Sequence, residues 1–197
     1  MRTNGNEMKL FISHSKYDDQ IKGFFAQVLA RKRIAPIFYE WENLGGKYDG
    51  EEIIKMLKTT DEEEYIPAVI VLLGKKLESP PEDSKQYTHN WVNFEVGIAA
   101  ALKKPVWVFE LFSETIKFPI PYVTDYVRYN LNDAEHVRIL GDILEDQFIT
   151  KKGQRKPVRT IKCPYEKCNA TYNYWSESDK INCPVCRQAM ERKKRKK

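Results

Sequence analysis

The order of apolar segments predicts an α/β fold, a central parallel sheet with helices on both faces, followed by a small cysteine-rich module. Three observations carry this. Short strand-like apolar runs alternate with helix-period segments from residue 8 to residue 148. The unbroken run Pro67-Ala68-Val69-Ile70-Val71-Leu72-Leu73 has the two-sided hydrophobicity of a central strand. Charge and cysteine are segregated: residues 151–197 hold 15 of the 33 Lys/Arg but only 4 of the 28 Asp/Glu, and all 4 cysteines. That end carries +11 and the remainder −6, within a total of +5. The chain therefore reads as a domain over 1–150, a basic linker over 151–160, a cysteine module over 161–190 and a basic tail over 191–197.

Met8 to His14 is a buried strand delivering Ser13, His14 and Ser15 to its carboxyl end. A helix follows, opened by Asp18 and Asp19, with Ile21, Phe24, Phe25, Val28 and Leu29 at helical spacing. Ile34 to Tyr39 is the second strand, and Pro36 near its start suits an edge position. The loop Glu40 to Asp49 contains Gly45-Gly46-Lys47-Tyr48, and a helix with Ile53, Ile54 and Leu57 inward leaves it. After the strand 67–73 come a loop over 75–89, a helix over 90–103 and a strand over 105–110. A long connection with Pro119 and Pro121 leads to an edge strand over 126–129 and a helix from Asp133 to Phe148. In parallel sheets of this type ligands bind outside the carboxyl ends of the strands.

On the helix 90–103, positions 91, 95, 98, 99 and 102 share one face, and all are apolar except Glu95. A carboxylate inside an apolar stripe loses hydration on packing, so it must find a donor, take up a proton or face a cleft that a ligand enters. The last alternative makes Glu95 a candidate for chemistry. An acidic phosphoacceptor pocket is excluded, because the central strand ends Leu73-Gly74 with no aspartate.

In the second part, Cys163-x4-Cys168, fourteen intervening residues and Cys183-x2-Cys186 supply two cysteine pairs at knuckle spacing, with Thr171 to Trp175 between them as a hairpin strand. Four paired thiols predict a tetrahedral zinc site of the zinc-ribbon kind, structural because four thiolates leave no position for a reacting water. The tail Arg192 to Lys197 and the module's aromatics suit nucleic acid phosphates and bases, or a protein partner. No apolar run reaches the 18 or so residues needed to cross a bilayer. The first residues carry no apolar signal segment. A cytoplasmic protein without a membrane partner is expected.

Three of these stretches resemble one family. Phe11-Ile12-Ser13-His14 resembles the first box of Toll/interleukin-1 receptor (TIR) domains. Glu42 to Asp49 resembles the loop after the second TIR strand, and Trp91-x-x-x-Glu95 resembles the tryptophan-to-glutamate spacing of the NAD-cleaving members. The resemblance covers residues 8–148 and implies a flavodoxin-like TIR fold. It implies that Glu95 is the residue on which NAD cleavage depends, with Trp91 beside it and Tyr48 against the dinucleotide. Ser13, His14, Ser15, Lys16, Gly46 and Lys47 would complete the substrate-binding set. Many catalytic members carry arginine where this chain has Ser15-Lys16, so a phosphate contact would fall to Lys16 or Lys47 as point charges.

Breaking the nicotinamide–ribose bond passes through an oxocarbenium-like state, and nicotinamide leaves a pyridinium as a neutral molecule. One carboxylate can suffice, either by stabilising positive charge and binding ribose hydroxyls or as a transient nucleophile. The product is ADP-ribose or a cyclic form of it, a signal suited to immune or stress pathways. The family also implies self-association. Two other readings stand beside this one: a catalytically silent TIR scaffold, and a nucleic-acid-binding protein acting through the zinc ribbon.

Overall fold

Five parallel strands carry the first part of the chain: β1 (Met8–Ser13), β2 (Ile34–Phe38), β3 (Val69–Leu73), β4 (Val106–Leu111) and β5 (Asp125–Tyr129), in the order β2-β1-β3-β4-β5. The computed structural model describes residues 7–15, 17–39, 49–62, 64–78, 85–112, 116–150 and 155–191. Between the strands lie α1 (Asp19–Arg31), α2 (Asp49–Lys58), the one-turn α3 (Lys75–Glu78), α4 (Lys85–Ala101) and, after β5, α5 (Ala134–Phe148). The mixed α/β architecture predicted from the alternation is the one observed.

Alternation along each strand divides the core between the two faces of the sheet. Phe11, Val69, Val71, Val108 and Tyr126 join Ile53 and Leu57 of α2 and Val92, Val96 and Ala99 of α4. Leu10, Ile12, Ile70, Leu72 and Phe109 join Phe25 and Leu29 of α1 and Leu140, Ile143 and Leu144 of α5 on the other face. Helix α5 is capped by the Asp133 carboxylate, which accepts from the Glu135 and His136 amides. Strand β2 is an edge, and Pro36 opposite Leu10 lacks an amide hydrogen that a central strand would need.

The strand order turns back at β1, with β2 to one side and β3 to the other. This is the switch point where the helices leaving the carboxyl ends diverge and open a crevice.

Three expectations are corrected. The segment 126–129 is not an edge strand. Strand β7 (Thr171–Tyr174) pairs in parallel with β5, and β6 (Arg159–Lys162) pairs antiparallel with β7 to form the outer edge of a seven-stranded sheet. The reason lies in side chains. Asp125 accepts from Asn173 Nδ2 at 3.1 Å and Trp175 Nε1 at 2.8 Å, Tyr126 packs on Tyr172 and Tyr174, and Trp107 lies 5.2 Å from Trp175. The sheet thus runs across the basic linker into the cysteine module, whose remaining strands β8 (Lys180–Asn182) and β9 (Ala189–Glu191) form a small hairpin. Helix α4 starts at Lys85, ahead of the expected residue 90, and the expected loop 75–89 contains α3. Among the described residues no helix is long and apolar enough to cross a membrane.

Candidate functional site

Glu95 sits at the middle of α4, on the face that packs against the sheet, and is 2% exposed. Ser13, the last residue of β1, is equally buried, and its hydroxyl donates to Glu95 Oε2. The sequence predicted both residues for the strand-end site, and the fold brings them together at the β1/β3 switch point. Burial pushes the Glu95 carboxyl from its ordinary 4.5 up to about 8, against the opposing pull of the Ser13 hydroxyl and of the Trp91 indole. Trp91 is one turn before Glu95 on the same face. Its Nε1–H lies near enough to favour the carboxylate, yet it makes no bond of proper geometry and has no partner among the described residues. The strand end and the helix thus bring together one carboxyl group, one committed hydroxyl donor and one uncommitted N–H.

Phe94, which sequence reasoning passed over, lies on the exposed side of α4, 5.4 Å from the Trp91 ring and 41% exposed. It also abuts the start of α2, where a Cβ at Gly50 would fall 2.9 Å from Phe94 Cζ. Its signal was legible as an aromatic one position before the stripe glutamate, but helical phase alone assigns it to solvent.

The other predicted residues separate. His14 is half-buried, with Nδ1 3.2 Å from the Ile12 carbonyl and its ring edge-on to Phe38. Ser15 is buried at the turn into α1, where its Oγ accepts from the Tyr17 amide at 3.3 Å and its carbonyl from the Asp18 amide at 3.0 Å. Lys16, Gly46, Lys47 and Tyr48 lie outside the described residues, as does the tail 192–197.

The four cysteines converge. Their sulfurs all lie within 4.8 Å of one another, with Cys163 and Cys186 3.7 Å apart and Cys168 and Cys183 3.8 Å apart. A tetrahedron with metal–sulfur bonds of about 2.3 Å has sulfur–sulfur edges of about 3.8 Å, so the donor set fits a soft tetrahedral cation. The two loops are alike in backbone. The Asn169 amide donates to the Tyr165 carbonyl, the Arg187 amide donates to that of Cys183, and these two residues, each following its cysteine pair, have positive φ (48° and 60°). Burial pushes the Cys163 thiol up to about 12, so its thiolate calls for a compensating cation.

A second buried polar cluster was missed. Glu110, near the carboxyl end of β4, is 1% exposed. Its Oε1 accepts from Arg187 Nη2 at 2.5 Å and from the Ile116 amide at 3.0 Å, and its Oε2 from the Tyr126 hydroxyl. The signal that singled out Glu95 applies to Glu110 as well, since it is the one charge in the run Val106 to Leu111. What could not be read was the partner, because Arg187 lies 77 positions away in sequence.

Comparison with protein-family models and with curated proteins gave no match.

Proposed function

We propose that the α/β part of this chain is a TIR-type enzyme that cleaves the nicotinamide–ribose bond of NAD, with Glu95 as the catalytic carboxylate. The observation that carries this reading is the pairing of buried Glu95 with Ser13 at the switch point of a β2-β1-β3-β4-β5 sheet. Ser13 fixes one carboxylate oxygen. The other, with the uncommitted Trp91 N–H beside it, is left to meet ribose and the developing positive charge. A raised pKa suits this task, because a cationic pyridinium ring entering a dry pocket favours release of the Glu95 proton and leaves the charge where it is needed. Capture of the ribosyl cation by water would give ADP-ribose, and capture by an atom of the same molecule a cyclic product. Either would serve as a signal in defence or stress responses, in a cytoplasmic protein that assembles with further copies of itself.

The four-cysteine site belongs to the same proposal as a structural zinc site, since all four positions of a tetrahedron are filled by sulfur.

The test is release of nicotinamide from NAD by the purified full chain over a range of protein concentrations, compared with Glu95→Gln. Release by the parent and none by the variant is expected. Equal traces from both would remove the enzyme reading. The near-complete burial of Glu95 favours one alternative, a silent scaffold whose glutamate only anchors α4 to β1 through Ser13. That alternative predicts no release at any concentration.

A further inference from the structure

Arg187 occupies an unusual position for a residue next to a cysteine knuckle. It follows Cys186 directly, its backbone is left-handed with φ of 60°, and its side chain is only 7% exposed. That backbone conformation is uncommon for a residue with a Cβ and needs surrounding structure to hold it. Here the hold is the knuckle itself, through the Arg187 amide on the Cys183 carbonyl at 2.7 Å and the Cys183 amide on the Gln188 carbonyl at 2.9 Å.

From the knuckle the guanidinium reaches into the sheet and pairs with Glu110 at 2.5 Å. Its Nε and Nη1 are buried with no partner among the described residues, so Glu110 is the charge that compensates for its burial. The same carboxylate holds the Ile116 amide and the Tyr126 hydroxyl, and the Ile120 amide donates to the Pro184 carbonyl inside the knuckle at 2.9 Å. The connection from β4 to β5 is thereby tied to the cysteine loop at two places. Ile116, Ile120, Cys163, Cys183 and Val96 of α4 all belong to one continuous apolar cluster.

We propose that the four-cysteine site is a metal-operated latch. When a soft divalent cation holds Cys183 and Cys186, the knuckle presents Arg187 to Glu110 and fixes the connection after β4; when the cation is lost, that ion pair opens and the strand ends beside α4 loosen. Breaking one side of a buried pair leaves an uncompensated charge, which is why a change at the cysteines propagates into the sheet. The chain would then respond to zinc supply at a site remote from Glu95. The latch rests on the metal-binding reading and not on NAD cleavage.

The test is amide hydrogen exchange on the full chain, with its bound zinc measured by elemental analysis, before and after removal by a chelator. Removal should raise exchange at Ile116 and Ile120 by about tenfold or more, while α1 keeps its protection. Arg187→Met should keep one zinc per chain, reproduce the faster exchange at Ile116, and lower the melting temperature by on the order of 10 °C. Arg187→Met combined with Glu110→Gln removes the orphaned charge and should recover most of that loss without restoring sensitivity of Ile116 to the chelator.

Faster exchange confined to 159–191 on chelation would overturn the latch. So would equal loss of protection in α1, which would make the metal a general support. Unchanged Ile116 protection in the double variant with zinc, together with a full chelator response, would also overturn it. Because none of these readouts involves NAD, failure of the latch and failure of the enzyme reading are separate results.

Discussion

Under the proposed NAD cleavage, Glu95 would meet opposite demands from stability and from chemistry, and the conflict is measurable. A carboxyl whose folded pKa is raised contributes its stability below the unfolded pKa and loses it as pH rises through the folded value. For Glu95 that window runs from its ordinary 4.5 to about 8. The loss accumulates at roughly 1.4 kcal/mol per pH unit, about 5 kcal/mol at most across the window. Glu95→Gln cannot ionise, so it should be more stable than the parent at pH 8.5 and close to it at pH 5, as read from urea midpoints at the two values. A midpoint difference that does not change with pH would refute the burial argument. Activity should run the other way. If the free enzyme needs ionised Glu95, kcat/KM for NAD rises about tenfold per pH unit and levels off near pH 8. On the same proposal the profile of kcat should be displaced to lower pH, because a bound pyridinium would stabilise the carboxylate. A flat kcat/KM between pH 6 and 9 would be incompatible with Glu95 acting as the charge.

At the scale of elements, the junction between β3 and α1 shows how a local signal conceals a long-range cause. The run 67–73 ends in Gly74, which reads as a simple stop. In the fold, a Cβ at Gly74 would lie 2.5 Å from Asp18 Cγ and 2.6 Å from Ile21 Cδ1, so any side chain there would force the Asp18 and Ile21 side chains, packed over the strand end from the start of α1, to move. Gly74→Ala should therefore destabilise by about 1–3 kcal/mol, seen as a lower thermal midpoint. A neutral result would mean that the Asp18 and Ile21 side chains can swing aside without cost. Strands β1 to β4 and helices α1, α2 and α5 were legible because each carries its own periodicity. The pairing of β5 with β7 was not, because it depends on Asp125 meeting Asn173 and Trp175 about fifty positions later, and period-two alternation is silent about which strand lies alongside. The site divided in the same way. Glu95 stood out as a charge in an apolar stripe and Ser13 as a strand-end residue, whereas the Arg187–Glu110 pair needed coordinates.

At the scale of the whole molecule, the continuous sheet makes the cysteine module part of the α/β core. Removing residues 151–197 would strip β5 of its neighbour, leave Asp125 without its donors from Asn173 and Trp175, and expose the faces of Tyr126 and Trp107 now covered by Tyr172, Tyr174 and Trp175. It would also take Arg187 away from Glu110. A newly exposed sheet edge and a carboxylate without its cation each act against folding, and breaking such a pair alone takes about 3–5 kcal/mol from the margin of about 5–15 kcal/mol by which single domains are stable. A chain ending at residue 150 should therefore aggregate or bind a hydrophobic dye, and the full chain should melt in one transition reported alike by Trp107 and Trp175 fluorescence and by far-ultraviolet circular dichroism. Two separated transitions, with the fragment reproducing the first at the same midpoint, would show that the sheet's continuity contributes little. They would also make the module a passenger, and the latch at Arg187 would have nothing to hold.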